Sequence, residues 1–219
     1  MSSVAIESPL PPHRRVGAQT LVRAFLAALL IAGLLLGGEG LWIHAKARLA
    51  QLLLELSWRS ELTGSRLKPW PWADTHALAK LTIERDGSTE IVLAGASGRT
   101  MAFGPGHLDG TALPGEVGNC VITAHRDTHF AALRYVGPGD VITLQRADRR
   151  VVRYSVKATR VVAKEDTSVL RQDDARVRLT LITCYPFDAI RPGTPLRYVV
   201  MAEALPDVAS TPVRSPRFR

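Results

Sequence analysis

Cys184 closes the run Thr180-Leu181-Ile182-Thr183-Cys184-Tyr185-Pro186-Phe187, where apolar alternation stops and a proline follows. A thiol can act as a nucleophile once a neighbouring group raises its thiolate fraction. Residues Val177 to Thr183 alternate β-branched residues and leucine in the manner of a buried strand, and Pro186 cannot continue a central ladder. The thiol therefore falls where a sheet opens into a loop, a usual mounting point for chemistry. Taken alone, Cys184 also reads as a small buried hydrophobe.

A nucleophile needs a proton carrier and a donor for the developing oxyanion. Of the six histidines, His13, His44 and His76 precede the first strand pattern, which leaves His107, His125 and His129. His125 stands at the end of the run Asn119 to Ala124 and is followed by the polar Arg126-Asp127-Thr128, a placement that matches Cys184 at its own strand end. Two strands of one barrel can bring such ends side by side. His107, in a glycine-rich loop, and His129 are each compatible with simple backbone hydrogen bonding. For the oxyanion, arginine holds its proton and carries several N–H groups. Arg191 lies in a turn and Arg197 opens the last strand pattern, so the rigid element favours Arg197. The second cysteine, Cys120, sits in a core-strand pattern and belongs to no CxxC pair. It reads as a buried free thiol; a disulfide to Cys184, open to an exported domain, would abolish the nucleophile.

The elements that must hold these residues are short runs rich in Val, Ile, Leu and Thr, separated by Gly, Pro and Asp. They cover Leu78–Glu84, Thr89–Ala94, Asn119–Ala124, Asp140–Gln145, Arg150–Val156, Thr159–Val162, Val177–Thr183 and Leu196–Met201. Eight short strands predict a closed barrel or sandwich. Asp86-Gly87 and Gly137-Pro138-Gly139-Asp140 supply turns, whereas Gly95 to Gly118 is too polar and glycine-rich for regular strands. Upstream, the prolines of Lys68-Pro69-Trp70-Pro71-Trp72 keep the chain extended as a linker onto the domain. Its two tryptophans are expected to plug the end of the barrel, with a grip on substrate or on the membrane interface as the other reading.

Nearer the N-terminus, Ala24 to Gly38 holds no charged residue, and the apolar stretch extends from Leu21 to Ile43 once Arg23 and Glu39 are accepted. As a helix, 23 residues span about 35 Å, enough for a hydrocarbon core of about 30 Å. A cleaved signal peptide competes, with Arg14, Arg15 and Arg23 in front and Ala45-Lys46-Ala47 as the cleavage pattern. Against it, Glu39 interrupts the approach, and Leu49, Leu52, Leu53 and Leu56 continue one helix face beyond. Basic residues balance at the two ends, so a cytoplasmic N-terminus follows from the short leader and single span. Residues 1–43 hold three of the 28 basic and two of the 20 acidic residues, which leaves a net +7 on the rest. The basic residues are scattered without an aromatic-interleaved patch, which argues against nucleic acid and for anionic lipid or acidic polymers as the electrostatic partner.

Thr180-Leu181-Ile182-Thr183-Cys184 fits the TLxTC signature of the sortases, membrane-anchored cysteine transpeptidases, and Ala124-His125-Arg126-Asp127 resembles their histidine motif. Arg197 falls on the arginine that opens their last strand, and the likeness runs from Trp70 to about Glu203. Gly104-Pro105-Gly106-His107, Pro114-Gly115-Glu116, Gly118-Asn119, His125 to Phe130 and Cys184 to Asp188 look most like the Gram-negative group and its class D relatives. The resemblance implies an all-β, eight-stranded barrel with short helices in its loops, preceded by one transmembrane helix. It divides the chain into a disordered cytoplasmic leader (1–19), an anchor (20–43), a juxtamembrane helix and linker (44–69), the catalytic domain (70–204) and a disordered tail (205–219). It implies catalysis by Cys184, His125 and Arg197, and a substrate-binding surface that includes Thr183, Arg126 and Asp127. The substrate would be an exported protein with an LPxT-like C-terminal sorting signal, cleaved through a Cys184 thioester and passed to an amine, at the outer side of the cytoplasmic membrane. Water in place of the amine would make the same chain a cysteine protease, and a non-catalytic envelope-binding barrel is the reading from another class. No cofactor is implied, and no acidic cluster justifies the calcium site of some members.

Overall fold

The computed structural model describes residues 17–65, 67–172 and 175–206. The expected leader and tail therefore fall largely outside the described residues. The first element among the described residues is the helix α1 (Ala18–Glu61), and the chain divides after Lys46 into two compact units.

In the first unit, Leu21, Leu29, Leu34, Leu36 and Ile43 are all exposed. Apolar side chains on every face of a helix suit a lipid solvent rather than water. By length and composition α1 contains a candidate membrane span. Lys46 Nζ stands 5.5 Å from the Trp42 ring centroid, a cation over an aromatic of the interfacial type.

The second unit is a closed barrel. Its strands are β1 (Ala77–Ile83), β2 (Ser88–Ala94), β3 (Gly106–His107), β4 (Gly118–Thr123), β5 (Val141–Arg146), β6 (Val151–Ala163), β7 (Val177–Tyr185) and β8 (Leu196–Ala204). Around the barrel they follow the order β1-β2-β3-β4-β7-β8-β6-β5. Neighbours are antiparallel except β2 with β3 and β4 with β7. Alternation fills the interior. Leu81, Val92, Cys120, Ile122, Leu144, Leu179, Leu181 and Val200 form one buried cluster, while the intervening positions of β4, β7 and β8 face outward. At Asp86-Gly87 the β1–β2 turn forms as expected, with Gly87 at φ 70° and the Asp86 carboxylate accepting from the Ser88 N–H.

Eight strands were expected and eight form, but two of them differ. The runs Arg150–Val156 and Thr159–Val162 are one strand, β6, interrupted by a register shift between Val156 and Ala158 opposite β8. The missing strand is β3, inside the loop expected to be irregular. Its pairing is backbone business: a Cβ on Gly106 would sit 2.4 Å from the Gly95 carbonyl oxygen, so only glycine lets the two segments approach.

Past the candidate span, α1 covers the outside of β2. Leu54 and Trp58, one turn apart, bury themselves against Ala77, Ile91 and Leu93, with Trp70 and Phe103 packed alongside. Each such side chain removed from water contributes about 2 kcal/mol. The tryptophans were expected to plug the barrel end; Trp70 instead joins this cluster outside β2, its ring centroid 4.7 Å from Phe103, and Trp72 is 81% exposed. The thiols are both free. Cys120 pairs across with Leu179, five residues before Cys184 on β7, and five strand residues span about 16 Å. A disulfide tolerates about 7 Å between Cα atoms, so these two cannot join.

Candidate active site

Cys184 owes its place to register. On β7 it sits opposite Arg197 of β8, in an antiparallel pair whose side chains share a face. On its other side, β4 runs parallel to β7 with Thr123 level with Ile182. The Ala124 N–H still donates to the Ile182 carbonyl at 3.2 Å, so the ladder continues past the strand's formal end. Two residues further, the same offset brings His125 level with Cys184. His125, Cys184 and Arg197 thus form one row across three adjacent strands, each step about 4.8 Å at the backbone. Leu179, Leu181, Cys120 and Val200 point into the core, and Cys184 and Arg197 fall on the opposite parity. The row therefore lies on the outer face of the barrel.

A thiol, an imidazole and a guanidinium are thereby carried at one level of three neighbouring strands. His125 is exposed and Cys184 is half-buried, so both are open to a ligand. Arg197 is also half-buried; its Nη1 donates to the carbonyls of Thr194 and Leu196, each at 2.8 Å. The other thiol is inert by contrast: burial above all, and then the Glu116 charge, pushes Cys120 up to about 12.

The remaining expected residues divide. Thr183 is 1% exposed, and its hydroxyl donates to the Ala124 carbonyl at 2.8 Å, which ties the ends of β7 and β4 together behind the row. Arg126 is 7% exposed and donates to the Ala189 and Arg191 carbonyls and the Thr194 hydroxyl, all in the β7–β8 connection. Asp127 is exposed beside His125. The two competing histidines have other partners. His107 Nε2 lies 2.9 Å from the Ala112 carbonyl, and His129 Nδ1 lies 2.8 Å from the Glu90 carboxylate on β2.

Two features escaped the sequence reading. One is a polar tie near the start of β4 and β7, six residues from the row along the strands. Asn119 on β4 accepts the Thr180 hydroxyl at 2.7 Å, and its amide donates to the carbonyl of Val169, in the 3-10 helix Thr167–Leu170. Gln172 closes this network by accepting from the Asn119 N–H. The β6–β7 connection is thereby fixed against the outer face of β4 and β7. An asparagine inside an otherwise apolar strand was the available clue, since a buried amide must find partners. The other is an aromatic group under the row, with Phe187 5.2 Å from Tyr198 and Tyr185 6.2 Å from Tyr198, and the Arg134 guanidinium 5.1 Å over Phe187.

Comparison with known proteins bears on this geometry. "Sortase D" of Bacillus subtilis (strain 168) is 30% identical over 109 residues, 50% of this chain and 54% of that protein, so the chain spans about half the length of this curated relative. Among solved structures, sortase A from Corynebacterium diphtheriae superposes with TM-score 0.57 at 31% identity, over 67% of this chain and 68% of that one. A Clostridium perfringens sortase D5 transpeptidase gives TM-score 0.53 at 27% identity, over 60% and 80%. The family model described as the sortase domain matches residues 81–205. That match takes in more than half of the chain, from the last residues of β1 to the end of β8, and the chain belongs to the sortase family.

Proposed function

We propose that this chain is a membrane-anchored cysteine transpeptidase that cuts an LPxT-like sorting signal and passes the acyl group to an amine. The observation that carries the reading is the row of His125, Cys184 and Arg197 across β4, β7 and β8. In the first half-reaction the Cys184 thiolate attacks the carbonyl that follows the signal's threonine. Negative charge then gathers on the carbonyl oxygen, where the Arg197 guanidinium stabilises it. Collapse breaks the C–N bond, His125 gives its proton to the departing amine, and a thioester remains. In the second half-reaction an incoming amine attacks the thioester, His125 takes its proton, and the thiolate leaves. Asp127, exposed beside His125, is proposed to face the substrate.

The apolar segment of α1 serves as the anchor, with the N-terminus cytoplasmic and the barrel outside the cytoplasmic membrane. The substrate is an exported protein with a C-terminal signal, and the Clostridium perfringens relative is itself described as a transpeptidase. His125 is exposed, so water has access to the same thioester and hydrolysis is the competing outcome. The test is product analysis on LPxT-type peptides with and without an added amine. A new amide bond that appears only with amine supports transfer; free acid in both cases assigns the protease reading. No cleavage by the wild-type chain, or full cleavage by Cys184→Ala, overturns both.

A further inference from the structure

Thr194, in the β7–β8 connection, joins two arginines. Its hydroxyl accepts from Nη1 of Arg126 at 3.1 Å, and its carbonyl accepts from Nη1 of Arg197 at 2.8 Å. Arg126 is itself 7% exposed, and its Nη2 donates to the carbonyls of Ala189 at 2.6 Å and Arg191 at 3.0 Å. A guanidinium keeps its charge when buried, so its N–H groups must find oxygens. Here all three oxygens belong to the ten-residue stretch between Pro186 and Pro195, which connects the Cys184 strand to the Arg197 strand.

The chain positions make this more than a loop staple. Arg126 directly follows His125, so the peptide unit that carries the imidazole also carries the clamp. Thr194 comes three residues before Arg197 and takes one of the two Nη1 protons of that side chain; the Leu196 carbonyl takes the other. Two fixed protons on one nitrogen define the guanidinium plane. Nε and Nη2 are then left as the donors that can meet an oxyanion.

We propose that Arg126 and Thr194 are positioning residues that set the guanidinium of Arg197 relative to Cys184, with neither touching the reacting atoms. The inference rests on Arg197 as the oxyanion donor. A lysine at position 126 supplies one point charge in place of a planar fork and cannot span three acceptors. Valine at 194 keeps the shape and the carbonyl but removes the hydroxyl acceptor.

The test uses the full chain in detergent with Thr194→Val, Thr194→Ser and Arg126→Lys. Three quantities are read: kcat and KM on an LPxT-type peptide, the thermal midpoint, and the Nε–H resonance of Arg197, assigned through Arg197→Lys. Thr194→Val and Arg126→Lys are each expected to lower kcat about tenfold, the size of one lost charge-assisted hydrogen bond, with KM held within about twofold. Both move the Arg197 resonance, Thr194→Ser restores it, and the double variant falls no further than either single one. An unmoved Arg197 resonance in folded Thr194→Val overturns the proposal, as does a kcat loss that merely tracks the unfolded fraction. If the wild-type chain turns over no peptide, the functional reading fails, yet the resonance still decides whether these residues orient Arg197. If Arg126→Lys does not fold, Thr194→Val decides alone.

Discussion

Thr183→Val isolates one hydrogen bond that holds the site together. The Thr183 hydroxyl donates to the Ala124 carbonyl at 2.8 Å, with the two residues 1% and 4% exposed. Valine has nearly the same volume, so no cavity opens; the loss is the bond, with the carbonyl left facing a methyl group. Such a loss costs about 1–3 kcal/mol, and in a domain of about 150 residues each kcal/mol moves the thermal midpoint by about 2–4 °C. The midpoint should fall by about 2–12 °C, read by circular dichroism on the full chain in detergent. Activity should fall further than the unfolded fraction explains, because Ala124 directly precedes His125 and the bond sets how the β4 end lies beside Cys184. Thr183→Ser keeps the hydroxyl and should retain most of the activity. A valine variant with the wild-type midpoint and rate would refute the reasoning, since the bond would then hold nothing that matters.

Three further outcomes follow from the same geometry. With Cys120 pushed up to about 12 by burial and by the Glu116 charge, iodoacetamide at about pH 8 should label one thiol in the native chain and none in Cys184→Ala; a labelled native Cys184→Ala chain would contradict this. Leu54, fully buried between α1 and β2, should cost about 2–5 kcal/mol when cut to alanine, and a shift in midpoint below about 2 °C would mean that α1 does not support the barrel. Glu84 is held below its ordinary 4.5 first by the Thr143 hydroxyl and then by the Arg153 guanidinium. Its contribution is therefore present above pH 4.5 and lost as pH falls through the lowered folded value. The urea midpoints of wild type and Glu84→Gln should differ at neutral pH and converge in acid, whereas a constant difference would rule this out.

Two members of the proposed catalytic row were legible because each sits where a strong local pattern breaks. Cys184 and His125 follow apolar alternation and precede polar or proline-bearing loops, and the offset that separates them is the offset of the β4–β7 ladder. Arg197 could be preferred to Arg191 because a strand fixes a side chain better than a turn. The pieces that hold these residues were less visible. β3 consists of Gly106 and His107, and pairs through backbone proximity that no hydrophobic period records. The β6 bulge left no mark in composition beyond the polar Lys157 and Ala158 between two apolar runs. Arg126 and Thr194 look like ordinary loop residues, since burial of a guanidinium depends on where a distant loop folds back. Trp70 and Trp72 share a Pro-Trp pattern yet part company: an extended chain would keep residues two apart on one face, but the chain turns here, with the Ala73 N–H donating to the Trp70 carbonyl at 2.9 Å, so one ring packs on Phe103 and the other is exposed.

The most direct test of the central claim is intact-mass analysis of the full chain quenched in acid during turnover of an LPxT-type peptide, followed by peptide mapping. The account predicts an acyl adduct on Cys184 and none on Cys120, enriched when the amine acceptor is withheld and lost in Cys184→Ala. Turnover with no adduct at Cys184, or an adduct that survives its replacement by alanine, would contradict it.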